Sequence, residues 1–320
     1  MAWFYKPSDN EPEQTLSANF DDFVLTRGDE SYRDDLKTQG ITSPFLQYVR
    51  FDAIQDPGSC TAQPLHNQVA DKVGDFCSIS TNHKDWFLLD LNGNRMYNAG
   101  YVMMDPGNSG WRSFFLSRLQ TMQQTFGWDG AFLDNVEGSL TKRKQYNQIP
   151  VKYATDTDYQ NAINGMLAYV YTWFNTNNRP LFANLISLKP VSVWFTYLNN
   201  LSGAMAECWA VGWGTSWRKT ADWLENLSRA EQTQSNGKRA ILVGQGDLSN
   251  NTRQQFAYAS FLLIDNKKAF FRYGKADYYT ETWLYPDYTW DLGTPLAARY
   301  QSGTKWCRDY TKGKVCVDPA

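Results

Sequence analysis

Eight short apolar runs recur along this chain, at residues 2–5, 22–25, 45–51, 130–133, 180–183, 203–206, 239–243 and 269–272. Between them lie stretches of helical periodicity or clusters of Gly, Pro and Asn, and this alternation restricts the fold more than any other feature. Runs so short and so poor in alternating polar residues suit strands buried on both faces of a parallel sheet. Helices are expected at 30–39, 110–126, 156–175, 216–234 and 252–264, several of them followed by glycine stop signals at Gly40, Gly127 and Gly237. In the second of these, Trp111, Phe114, Phe115, Leu119, Met122 and Phe126 fall at helical spacing, so one face is expected to be buried, with Asn108 and Ser109 in place to cap its start.

Eight strands alternating with helices over about 270 residues predict an α/β fold of the (β/α)8 TIM-barrel type, whose usual length is about 250 residues. A doubly wound open sheet would want a glycine-rich turn after its first strand, and here that turn reads KPSDNEPEQ, without glycine. The long stretch 56–105 is expected as a decorated loop after the third strand, and 304–318 as a C-terminal β-hairpin turning at Lys312-Gly313. No repeat or low-complexity tract interrupts the chain, so residues 1–320 are read as a single barrel domain.

A net charge of −2 and a pI near 5.8 leave no basic field for phosphates, which argues against a nucleic-acid partner. No apolar run approaches the ~20 residues of a membrane span. With AWFYK already strand-like at residue 2, we expect a leader to have been removed and Met1 to stand in its place. Of five cysteines, Cys60 with Cys77 and Cys307 with Cys316 form two short local closures, while Cys208 stands alone. Two disulfides plus one odd thiol fit a secreted or extracytoplasmic protein, although the sequence leaves the pairing open. The sequence carries no signal for oligomeric state.

In a barrel the reactive groups lie at the C-terminal ends of strands. The residues that follow the runs here are Lys6, Arg50, Asp52, Asp134, Asn135, Asn184, Glu207, Gln245, Asp247 and Tyr273. Only two histidines occur, His66 and His83, both in the long loop, so a zinc set, a Ser-His-Asp triad and a thiol–imidazole pair with Cys208 are all poorly provided for. No metal or cofactor is expected. What remains is carboxylate chemistry: cleaving an acetal needs one carboxyl that donates a proton to the leaving oxygen and another that attacks or activates water. Asp134 and Glu207 suit these tasks, with Asp52 and Asp247 as substitutes. By strand parity Phe132 shares a face with Asp134, Met205 with Glu207, and Gln245 with Asp247. Glu137, past the predicted strand, is expected on a solvent face. Trp209, Trp213 and Trp217 in ECWAVGWGTSW are separated by glycines, which suits a loop presenting rings to pyranose faces; a buried helical stripe is the other reading. The aromatic content of 16% fits either.

HKDWFLLDLNGNRMY, VMMDPGNSGWRSFFLSRLQ, GWDGAFLDNV, DLGTPLAARY and WCRDYTKGKVCVDP resemble the hypothetical glycosyl hydrolase family 15 from His83 onward, and AWFYKPSD does so less securely. The resemblance implies a TIM barrel acting on a glycan, and by analogy with other barrel glycosidases it casts Asp134 as nucleophile and Glu207 as acid/base. A retaining glycoside hydrolase is therefore the expected function. A barrel that binds carbohydrate without cleaving it, and a transglycosidase using the same site, are the alternatives.

Overall fold

The polar residues that close the apolar runs belong to the strands themselves. The computed structural model describes residues 3–4, 11–276, 279 and 281–319. Its parallel strands are β1 (Trp3–Phe4), β2 (Asp22–Leu25), β3 (Phe45–Arg50), β4 (Gly130–Glu137), β5 (Leu181–Ile186), β6 (Gly203–Glu207), β7 (Arg239–Gln245) and β8 (Ala269–Gly274). Between them come α1 (Glu13–Asn19), α2 (Glu30–Thr38), α3 (Ser109–Thr125), α4 (Asp156–Thr176), α5 (Ser192–Leu198), α6 (Thr220–Ser235) and α7 (Asn251–Ile264). β4 to β8 each run past the end that apolar character alone predicts. Polarity marks a side chain as loop-like, but the backbone ladder continues wherever polar side chains find partners. The short α1 and α5 escaped the sequence reading.

Contacts group the chain into two units, one of Val24–Lys37 and Thr42–Ser202, the other of Met1–Phe23, Thr38–Ile41 and Gly203–Ala320. In the former, β3, β4 and β5 pair in parallel, with Tyr48 opposite Phe132 and Phe132 opposite Phe182. The apolar stripe of α3 packs on α4, which also covers β4 and β5. Asn108 caps α3 by accepting from the Trp111 amide at 3.0 Å, and Thr155 with Asp158 forms a capping box for α4. The MDPGNSGW segment works by close approach: a Cβ on Gly110 would lie 2.6 Å from the Trp86 indole nitrogen, and one on Gly107 would meet the Tyr153 hydroxyl.

The excursion after β3 is more ordered than a decorated loop. Strands Ala53–Gln55, Tyr101–Met103 and Tyr97–Asn98 form an antiparallel sheet in that order, and helix Asp75–Asn82 is tied to the preceding turn by a disulfide between Cys60 and Cys77.

In the other unit β6, β7 and β8 pair in parallel, β1 pairs with β2, and β1 lies against β8. α6 and α7 pack on each other and on β7. The C-terminal hairpin, Lys305–Tyr310 with Gly313–Val317, holds Cys307 directly opposite Cys316, and these two are disulfide-bonded. A third strand, Tyr300–Ser302, extends it, a strand too polar and too exposed to leave an apolar signature. Buried Arg308 fastens this sheet to the end of α7, donating to the carbonyls of Ala297 and Asp265 and to Asn266 Oδ1.

β2 opens on a buried carboxyl. Burial pushes Asp22 up to about 6, against the opposing pull of Arg239 at 3.1 Å and with a smaller push from Asp21. A folded carboxyl that keeps its proton to about pH 6, against 3.8 when exposed, contributes stability fully present below pH 3.8 and lost as pH rises through 6. That contribution is on the order of 3 kcal/mol. Asp22→Asn should therefore flatten the fall in melting temperature between pH 4 and 7 relative to the parent. Parallel pH profiles for the two proteins would contradict this.

Candidate active site

Two carboxylates stand half-buried on parallel strands, one in each unit: Asp134 within β4 and Glu207 at the end of β6. Asp134 lies on β4 opposite Arg50 of β3. Its Oδ2 accepts from the Tyr48 hydroxyl at 2.5 Å and from Asn135 Nδ2 at 3.4 Å, and its Oδ1 accepts from Asn184 Nδ2 at 3.0 Å. Beneath it, the rings of Tyr48 and Phe132 stack at 6.3 Å, as expected of residues directly opposite each other on paired strands. Donors on three strands thus fix the carboxylate plane.

The position depends on a bulge. Leu133 pairs with Ala183 but Val136 pairs with Leu185, so two residues of β4, Asp134 and Asn135, stand opposite Asn184 alone, and Asn135 takes a left-handed φ of 60°. The extra residue shifts the alternation, so that Glu137, opposite Ile186, returns to the Asp134 face. This corrects the solvent-face expectation for Glu137. Its side chain is 0% exposed and forms a two-pronged pair with Arg143, Nη2 to Oε1 at 2.9 Å and Nε to Oε2 at 3.3 Å. Nearby, buried Asp52 accepts from Arg50 Nε at 2.9 Å and Asn98 Nδ2 at 2.6 Å, while Arg50 Nη2 donates to the Asn98 carbonyl. Burial pushes the Asp52 carboxyl up in spite of both partners. Arg50 and Asp52 are thus engaged with each other and with the excursion.

In the second unit Glu207 ends β6, opposite Val243 of β7. Its Oε1 accepts from the Tyr279 hydroxyl at 2.8 Å, and that hydroxyl in turn accepts from Gln245 Nε2 at 2.7 Å. Burial, reinforced by the Glu207 charge, pushes the Tyr279 phenol far above its ordinary range, so it stays a neutral donor. Directly after Glu207 the backbone is strained, with Cys208 at φ 58° and Ala210 at φ 57°. Cys208 Sγ lies 3.7 Å from Gln245 Oε1.

The remaining expectations divide. Asn184 and Asn135 adjoin Asp134, Gln245 adjoins Glu207, and Asp247 is exposed beyond β7. Trp209 is 0% exposed, which corrects its reading as a presented ring: it is core, while Trp213 and Trp217 are exposed at 47% and 54%. Tyr273 is likewise buried, packed against Trp283 and Tyr285, and burial pushes its hydroxyl up to about 12. Lys6 lies outside the described residues. Tyr48 and Tyr279 were missed. Parity with Arg50 was the available signal for Tyr48; Tyr279, well beyond β8, had none.

Parallel strands interleaved with helices and carrying oriented carboxylates give an α/β fold similar to that of glycoside hydrolase barrels. The chain belongs to the hypothetical glycosyl hydrolase family 15, whose match covers residues 59–314. No curated protein matches it. Among solved structures, the glycoside hydrolase domain of PelA from Pseudomonas aeruginosa is similar with TM-score 0.56 and 16% identity, over 86% of this chain and 93% of that one. An α-amylase from Malbranchea cinnamomea reaches TM-score 0.57 at 8% identity, over 100% and 85%. A GH31 dextranase from Flavobacterium johnsoniae reaches 0.54 at 11%, over 88% and 37%. These likenesses are of fold. Family and fold together support a carbohydrate-active enzyme, and the two disulfides fit an extracellular protein.

Proposed function

We propose that the protein is an exported retaining glycoside hydrolase, a single domain in which the strands close into a (β/α)8 barrel, with Asp134 as nucleophile and Glu207 as acid/base. The contact of β1 with β8 supports closure. The observation that carries the chemistry is that both carboxylates lie on parallel strands, Asp134 at the bulge of β4 and Glu207 at the end of β6, and both accept a hydrogen bond from a tyrosine hydroxyl. In the first step Asp134 attacks the anomeric carbon while Glu207 gives its proton to the leaving oxygen, breaking the glycosidic bond. In the second, Glu207 takes a proton from water, which displaces Asp134 and releases the sugar. Tyr48 and Asn184 hold Asp134 in line for attack, and Tyr279 fixes the direction of Glu207.

The roles separate experimentally. Glu207→Gln should lose about 10²- to 10⁴-fold on the natural glycan, the range for a general acid. It should retain far more activity on an aryl glycoside of the same sugar, whose leaving group needs no proton. Equal losses on both substrates would overturn the acid role of Glu207.

A further inference from the structure

We infer that the loop following β6 carries a sugar-stacking subsite on Trp217, flanked by Trp213, for a pyranosyl unit of a glycan whose reacting bond lies at Glu207; this rests on the glycosidase reading above. Two indoles four residues apart, each about half exposed at 47% and 54%, are an unusual apolar display for a loop tip unless a ligand covers them.

The loop is not slack. Arg253, itself 0% exposed, donates from Nη2 to the Gly212 carbonyl at 2.8 Å and from Nη1 to the Thr215 carbonyl at 3.3 Å, and Arg218 Nε donates to the Cys208 carbonyl at 3.0 Å. Gly212 N also donates to the Ser216 carbonyl at 2.8 Å, closing the turn that separates the two rings. Trp217 is held from within the protein: the Arg253 guanidinium lies 5.0 Å from its ring centroid and Phe256 meets it at 84°. The residue is otherwise exposed, which leaves it accessible to a flat C–H face of a sugar.

The same arginine connects this ring to the carboxylate. Arg253 Nε donates to the Gln245 carbonyl at 2.5 Å, Gln245 Nε2 donates to the Tyr279 hydroxyl, and Tyr279 donates to Glu207. One buried guanidinium therefore sets the position of the stacking ring and of the residue that aims the acid/base, as a subsite contiguous with the reaction centre requires. The backbone strain at Cys208 and Ala210, between Glu207 and the rings, marks the segment as held in a functional conformation.

The test uses the Glu207→Gln protein, which should bind a glycan without turning it over. Fluorescence titration with amylose, dextran, galactomannan, partially acetylated chitosan and alginate identifies the polymer retained. Adding Trp217→Ala should weaken that binding about tenfold, Trp217→Tyr should restore most of it, and Trp290→Ala, an exposed indole elsewhere in the unit, should change nothing. Peptide mapping after N-bromosuccinimide treatment gives a readout without substitution: the bound polymer should protect Trp217. Unchanged affinity in Trp217→Ala, or Trp217 oxidised equally with and without the polymer, overturns the subsite alone. Retention of none of the polymers overturns the subsite together with the glycosidase reading.

Discussion

Asp134→Asn should reduce glycan cleavage by at least about 10³-fold, on the aryl glycoside as well as on the natural substrate. The amide is isosteric, so Tyr48 can still donate to its oxygen and the fold should be little perturbed. A neutral amide cannot form the glycosyl ester, however, and an activated leaving group does nothing to replace a missing nucleophile. This separates Asp134 from Glu207, whose loss the activated substrate should largely relieve. Steady-state assays on both substrates check the contrast, with thermal unfolding to confirm that the variant is folded. An Asp134→Asn protein within tenfold of the parent would remove Asp134 from the mechanism.

The largest expected effect on stability lies a short way along the same strand. Arg143→Ala should destabilise the protein by about 3–5 kcal/mol, since it leaves the Glu137 carboxylate buried and unpaired. For a protein of this size that corresponds to a fall in melting temperature on the order of 10 °C. It also removes the Nη1 donation to the Tyr97 carbonyl, which ties the excursion to the helix carrying Arg143. Replacing both partners by leucine should recover much of the loss, because no isolated charge then remains. Circular-dichroism melting of the two proteins decides the matter: a double variant no more stable than Arg143→Ala would show that packing, rather than the charge pair, is what the arginine contributes.

Much of the frame was legible because periodicity reports burial directly. β2 and the starts of β3, β4, β6, β7 and β8 coincide with the apolar runs, and the alternation that put Asp134 over Phe132 holds as far as the bulge. Beyond it parity would fail, since an inserted residue with left-handed φ has no signature in composition; Glu137 reads as solvent-facing because the apolar run stops at Leu133, whereas the strand continues and buries it in an ion pair. The three tryptophans show a second limit. Spacing and interleaved glycines place a loop but do not say which ring turns inward, and Trp209 turned inward. Tyr279 marks a third: it reaches Glu207 from far along the chain, and only tertiary structure brings such a pair together. The cysteine pairs were accessible for the opposite reason, each being a short local closure.

The central claim, that Asp134 and Glu207 cleave a glycan, is tested most directly by a reducing-end product assay across neutral, amino-sugar and uronate polysaccharides, with Asp134→Asn and Glu207→Gln as controls. The account predicts that the parent releases products from at least one polymer and that either substitution abolishes the release. Binding without cleavage by the parent across the panel, or undiminished cleavage by both variants, would contradict it.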